Sequence, residues 1–340
     1  MSASRNEELP GVSVVIPFRN EADNLETLLG SLGRQKYKGF IEIVLVNDSS
    51  TDNSVGVIHN AAHKCPIPVK LVESIYNQEI ALTSKQQALD LGVRSSRYGC
   101  IVFTDADMQF DEHWVYSLVK VYLTGALMVF GHTSLCGQRK DMFALWQSFQ
   151  LEYLFTIAYA FNKAGITGSS MGNNMLIDRK AYESIGGQEG IGFTIVEDRE
   201  LYNVFTKRGY SIRPVEPFLP AAFTYPCTTL VQFYHQMRRW ARGGFTLSSN
   251  LLAVAVIFAL QNFIFTASIL GLTPLPVTIM SGLNFLISWI FLTAGFKRTG
   301  SKAPAFFFPL FYLILIAETV VIGLSFIIRP SIIWKARKIR

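Results

Sequence analysis

Over residues 12–104 two rhythms of apolar and polar positions alternate along the chain. Short apolar runs, "VSVVIP" (12–17), "IEIVLVND" (41–48), "VKLVES" (69–74) and "CIVFTD" (100–105), have the length and β-branched content of strands. Between the first two, Leu25, Leu28, Leu29 and Leu32 recur at helical spacing. "SSTDNSVGVIHNAA" offers Ser or Thr as the cap of a second helix, and a third is predicted from about Thr83 to Arg97. Strands alternating with helices predict an α/β fold, a largely parallel sheet covered on both faces. Further on, "ALMVFGHTSL" (126–135) reads as one strand. Residues 143–161 read as an aromatic-rich helix suited to core packing or, by preference, a bilayer interface, and 165–182 as a loop, a short strand and a helix start.

The pattern then changes character. From Asn250 to Phe296 there is no Asp, Glu, Lys, Arg or His, and Ala303–Ile328 holds only Glu318. A membrane-crossing helix needs about 20 mainly apolar residues, so spans are predicted near 250–271, 275–296 and 304–328. The predicted organisation is a soluble domain over 1–249, a hydrophobic membrane region over 250–328 and a basic tail over 329–340. Composition agrees: 50% of the 340 residues are hydrophobic and only 16% charged, with a mean hydropathy of +0.28.

Charge refines the picture. The net charge is +6, and its basic clusters, "QMRRWAR", "KRTGSK" and "KARKIR", adjoin the predicted spans. That placement favours anionic headgroups and the cytoplasmic side over a nucleic-acid partner. Three full crossings would carry the basic tail to the opposite side, so 304–328 either crosses or re-enters. The apolar run after the polar N-terminus is stopped early by Pro17, which is not the pattern of a signal sequence, and the soluble domain is expected to stay cytoplasmic. Cys65, Cys100, Cys136 and Cys227 form no CxxC pair and read as reduced thiols, while His59 and His63 read as a solvated helix face.

Candidate chemistry collects at the ends of the predicted strands. Pro17, Arg19, Asn20 and Glu21 follow the first, Asn47 and Asp48 the second, and Asp105 and Asp107 the fourth. In such sheets ligands sit outside the carboxyl ends of the strands. Two acids at i and i+2 can face one cation, and a hard divalent ion takes one or two carboxylates together with substrate phosphates. An isolated pair of this kind reads equally as a solvated turn. No GxGxxG turn follows the first strand, which argues against a dinucleotide oxidoreductase. Glu197 and Asp198 head a predicted helix, where the dipole favours negative charge.

Taken in order, "VVIPFRNEADNLETLLGSL", "VLVNDSSTD", Lys85 in "TSKQQALDLG", "TDAD", "GNNMLIDRKAYESIGG", "VED" and "QMRRW" resemble glycosyltransferase family 2, the nucleotide-sugar-dependent enzymes of GT-A fold. The QxxRW form followed by a hydrophobic tail is most similar to the membrane-anchored, lipid-directed, ceramide glucosyltransferase-like type. The resemblance implies that Pro17, Arg19, Glu21 and Asp48 cradle the nucleoside, with Lys85 close to it or to the diphosphate. It implies that Asp105 and Asp107 hold Mg²⁺ or Mn²⁺, that Asp198 is the base, and that Gln236, Arg239 and Trp240 close over the leaving diphosphate and the acceptor entrance. Arg238 and Arg242 are placed by helical spacing to meet phosphate or headgroups. The expected activity is inverting, metal-dependent transfer of a sugar from a nucleotide sugar, UDP by preference and GDP otherwise, to a membrane lipid at the cytoplasmic face. In a bacterium that would be the inner membrane. Asn47 stands where an Asp is commoner and Val196 where Thr or Glu is, which leaves the choice of nucleotide open. Polysaccharide synthase-like and polyprenyl-phosphate glycosyltransferases are the rival enzymes, and a non-catalytic membrane scaffold is the rival of another class.

Overall fold

A computed structural model describes residues 9–136, 141–165, 170–216, 221–244, 260–299, 305–328, 332–334 and 337–339. The chain divides into two compact units, one of residues 1–136 and 169–225, the other of 137–168 and 226–340.

The first unit begins as the alternating pattern predicts. Strands β1 (Val12–Phe18), β2 (Ile41–Asn47), β3 (Val69–Glu73) and β4 (Cys100–Phe103) enclose helices α1 (Ala22–Leu32), α2 (Ser54–Ala62) and α3 (Ser84–Ser95). β1 pairs in parallel with β2 on one side and β4 on the other, and β3 extends the parallel set beyond β2. Every residue of β1 is buried, as a strand covered on both faces must be, and Leu25, Leu28, Leu29 and Leu32 turn the predicted face of α1 into that core.

Beyond β4 the chain switches sheets. β5 (Met108–Phe110), α4 (Trp114–Tyr122), β6 (Met128–Phe130), β7 (Thr133–Leu135), β8 (Met175–Asp178), α6 (Arg179–Ser184), α7 (Gly187–Ile191), α8 (Glu197–Lys207), β9 (Ile212–Pro214) and β10 (Ala222–Thr224) complete the unit, with α5 (Met142–Lys163) in the other unit. The main sheet runs β3-β2-β1-β4-β8-β6-β9, with β8 antiparallel to β4, and a small sheet runs β5-β10-β7. The single strand expected over 126–135 is therefore two strands in different sheets, divided at Gly131 and His132. Gly131 is needed there because a Cβ would meet the Asn174 side chain at 2.5 Å.

The second unit is helical: α5 (Met142–Lys163), α9 (Leu230–Gly244), α10 (residues 260–269), α11 (Leu275–Thr299) and α12 (Phe308–Ile328). Phe149 of α5 packs among Leu292 and Phe296 of α11 and Phe308 and Phe311 of α12. Two described helices, Leu275–Arg298 and Phe308–Phe326, are long and apolar enough to cross a bilayer, and they match the spans expected at 275–296 and 304–328. Residues 250–259 of the span expected at 250–271 lie outside the described residues. Glu318 accepts a 2.8 Å hydrogen bond from Gln150 of α5, so the one acid of α12 is turned toward another helix. Within the tail, β11 (Ile332–Trp334) and β12 (Arg337–Ile339) pair as an antiparallel hairpin beside α9.

Candidate active site

The site is built where the strand order reverses. β1 is followed in sequence by its neighbour on one side, β2, while β4 lies on its other side, so their carboxyl ends part around a crevice. A cavity in the first unit opens there, lined among others by Pro17, Lys85, Asp105, Gly172, Glu197 and Asp198. Residues from the β1 end, the α3 start, the turn after β4 and the head of α8 thus meet at one place.

Asp105 and Asp107 occupy the turn in which the chain leaves the main sheet for the small one. Thr104 just before them donates its hydroxyl to the Asn173 carbonyl at 2.8 Å, and Ala106 between them is buried while both acids are less so. Asp107 lies near Cys136, whose thiol is pushed up mainly by burial and further by that carboxylate.

Asp198 is held by the backbone. Its Oδ2 accepts from the Gly172 N–H and its Oδ1 from the Arg199 N–H, both at 2.9 Å. Burial, and then the adjacent Glu197, push its carboxyl up to about 6, against the opposing pull of Lys85 and the two N–H groups. A Cβ at position 172 would stand 2.5 Å from the Asp198 Cβ and 2.7 Å from Oδ2, so only glycine lets this loop approach the acid so closely.

Lys85, one residue inside α3, reaches both sides of the cavity. Its ammonium lies 2.6 Å from Glu197 Oε1 and 2.9 Å from Asp105 Oδ1. Glu197, noted in the sequence beside Asp198 but given no role there, lines the cavity. The motif reading missed the "GNN" segment as a connector, in which Gly172 holds Asp198 while the Asn173 carbonyl holds Thr104. Neither glycine nor a backbone carbonyl signals such a role in sequence.

Arg19, Glu21 and Asp48 stand on the loops that follow β1 and β2. The Arg19 guanidinium donates to the Asp48 carbonyl at 3.1 Å, the Glu21 carboxylate accepts from Asn24 at 2.6 Å, and Asp48 is 3% exposed. The two loops are laced together, Asn20 N–H to Ser50 Oγ at 3.1 Å and Thr51 N–H to Asn20 Oδ1 at 2.8 Å. Asn20 and Ser49 both adopt left-handed backbone, with φ of 53° and 55°, a strain that the lacing sustains and that is common at ligand sites.

Gln236, Arg239 and Trp240 lie on α9, in the second unit. Gln236 Oε1 is 3.4 Å from the Cys227 thiol, and Trp240 is exposed. Arg238, expected near headgroups, is instead 3% exposed, its guanidinium over the rings of Tyr234 and Phe326 at 5.6 and 5.0 Å. The aromatic faces stabilise the buried cation. The side chain of Arg242 lies outside the described residues. His59 and His63 are exposed, and among the described residues the four cysteines are unbridged.

Known proteins resemble this chain in sequence and in fold. The probable glycosyltransferase YdaM of Bacillus subtilis (strain 168) is 29% identical over 279 residues, 76% of this chain and 63% of its own. A beta-monoglucosyldiacylglycerol synthase of Nostoc sp. is 22% identical, covering 85% of this chain and 65% of its own. Ceramide glucosyltransferase 1 of Caenorhabditis elegans is 22% identical, with coverages of 98% and 72%. The chain thus spans a little under two thirds of the length of the first two. Among solved structures, the mannosyltransferase PcManGT from Pyrobaculum calidifontis, in complex with GDP-Man and Mn²⁺, superposes with a TM-score of 0.55 at 17% identity over 87% of this chain and 88% of that one, a likeness of fold. The motif resemblance named family 2 enzymes of the ceramide glucosyltransferase-like kind, and a ceramide glucosyltransferase is indeed among the relatives. The profile that matches, over residues 1–340, places the chain in glycosyl transferase family 21.

Proposed function

We propose that the protein transfers a sugar, with inversion, from a nucleoside diphosphate sugar to a hydroxyl of a membrane lipid at the cytoplasmic face, using Asp198 as general base. One observation carries this reading: a half-buried carboxylate with raised proton affinity, fixed by two backbone N–H groups, shares a cavity at the strand ends with Asp105 and Lys85. A carboxyl at about 6 is ionised at neutral pH and still a better proton acceptor than an ordinary aspartate.

In the proposed reaction the acceptor hydroxyl gives its proton to Asp198 as its oxygen attacks the anomeric carbon, and the bond from that carbon to the diphosphate breaks on the opposite face. A single base and an in-line displacement give inversion. Asp105, which lines the cavity, and Asp107, two residues further along the same turn, fit a Mg²⁺ or Mn²⁺ ion in donor chemistry as hard oxygen ligands. Among the described residues no group of three or more His, Cys, Asp or Glu forms a closed metal site, so substrate oxygens would complete the coordination. When bound, the ion would neutralise charge growing on the leaving diphosphate. Pro17, Arg19, Glu21 and Asp48 are assigned to the nucleoside, and Gln236, Arg239 and Trp240 keep the roles their motif implies. UDP is the preferred nucleotide, with GDP the alternative.

The lipid acceptor is supported by two apolar helices of spanning length and by relatives named for diacylglycerol and ceramide products. The test is transfer by the full chain, in mixed-lipid nanodiscs, from a panel of UDP- and GDP-sugars with Mn²⁺ or EDTA, the products read by lipid mass spectrometry. Asp198→Asn is expected to abolish transfer while donor binding survives, and Asp107→Ala to weaken both. Full transfer by Asp198→Asn removes the base from this reading.

A further inference from the structure

Three carboxylates border the cavity, Asp105, Glu197 and Asp198, and among the described residues lining it Lys85 is the one cation. Its ammonium touches Asp105 on one side and Glu197 on the other, with only 18% of the side chain exposed. We infer that Lys85 is the resident counter-cation of the donor site: it neutralises Asp105 while the site is empty and gives up that carboxylate when the divalent ion and diphosphate enter together, staying tethered through Glu197. The inference rests on the donor-site reading above and goes beyond it by making the binding of ion and diphosphate interdependent through Lys85.

The argument is one of charge. Lys85 is 18% exposed and Asp105 37%, so their attraction is partly screened, but a metal ion arriving alone must still displace an ammonium already seated on Asp105 and leave it to Glu197. A diphosphate arriving alone meets a cavity with more acids than bases. Arriving together each removes the other's obstacle, because the diphosphate accepts Lys85 while the metal takes the carboxylate. Glu197 is what keeps the released lysine in place. Its carboxylate is only 14% exposed and is the closer of the two partners, at 2.6 Å against 2.9 Å. Lys85 also begins a helix fixed by a full capping box at Thr83 and Gln86, so its backbone does not have to move for its side chain to change partner.

The experiment is titration of full-length protein in detergent micelles with Mn²⁺ alone, and with Mn²⁺ plus UDP or GDP, following free Mn²⁺ by electron paramagnetic resonance. Wild type should bind Mn²⁺ weakly by itself and much more tightly with one of the nucleotides. Lys85→Met should tighten binding of Mn²⁺ alone by about tenfold, the size of one relieved ion pair of about 1.4 kcal/mol, and should lose most of the nucleotide's effect. Glu197→Gln should act the opposite way on Mn²⁺ alone, weakening it, because Lys85 then loses its closer carboxylate and leans more on Asp105. Unchanged or weaker Mn²⁺ binding by Lys85→Met overturns the inference. If that variant does not fold, Glu197→Gln decides, and unchanged or tighter binding there overturns it equally. A wild type that binds Mn²⁺ with neither nucleotide refutes the donor-site reading itself, and the inference with it.

Discussion

At the scale of single residues, the proton affinity of Asp198 makes the sharpest prediction. As the proposed base, Asp198 would have to be ionised to work, and its carboxyl is pushed up to about 6. Transfer should be flat above that pH and fall about tenfold per pH unit below it, whereas an unperturbed aspartate would place the same limb near pH 4. A pH profile of kcat/KM checks this directly. Gly172 makes a second. Gly172→Ala would drive a methyl group into Asp198 at 2.5 Å, and displacing a catalytic group by about 1 Å costs on the order of 10²-fold in rate. The expected signature is a fall in kcat with little change in the affinity for the nucleotide. The acids themselves were legible in sequence from the "TDAD" and "VED" strings. The pairing of Lys85 with Glu197 was not, because residues so far apart along the chain declare nothing about meeting until α3 and α8 are both placed.

Among elements, α3 is the one that joins the two halves of the site. Beside Lys85, the fully buried Gln86 donates to the Gly192 carbonyl at 2.8 Å and accepts from the Thr194 N–H at 3.1 Å, fixing the loop that leads into α8. Its amide also bonds Gln188, and Asp90 of the same helix accepts buried hydrogen bonds from the Tyr182 hydroxyl of α6 and the Gln188 N–H of α7. Gln86→Ala would take away the partner of the buried Thr194 N–H, at about 1–3 kcal/mol, and that of the part-buried Gly192 carbonyl. We expect a stability loss of about 2 kcal/mol or more by denaturant midpoint, together with a reduced kcat as Asp198 loses its fixed approach. The helix itself was readable from Thr83 onward, since a Thr followed three residues later by Gln is a capping signal. The break of 126–135 into β6 and β7 was not. One glycine in an apolar run marks equally a bulge, a bend or a change of sheet, and only the pairing of β7 with β10 selects the last.

For the whole molecule, the apolar helices set the behaviour. Those at 275–298 and 308–326 have mean hydropathies of 1.8 and 2.0, and only 6% and 28% of their most apolar windows are buried within the protein. A helix of 24 residues spans about 36 Å, more than the roughly 30 Å hydrocarbon core. So large an unburied apolar surface suits a bilayer, and on the proposed membrane location the protein is expected to stay in the membrane pellet after alkaline carbonate washing. Recovery in the supernatant would contradict that. The hydrophobic stretches were plain in the composition, because lipid exposure removes the need for a polar face. The grouping of α5 and α9 with α11 and α12 was less so, since α5 reads in sequence as either a core helix or an interfacial one.

Sequence alone determined the alternating α/β order, the strand-end acids, the glycosyltransferase motifs and the apolar C-terminal region, because each depends on neighbours a few residues away or on local composition. Tertiary structure decided the crevice between β1 and β4, the glycine contact that holds Asp198, the lysine shared between Asp105 and Glu197, and the burial of Arg238. Those depend on which strands lie side by side and on how closely remote segments pack, and hydrogen bonds and ion pairs act only over a few ångströms that strand order and packing alone establish.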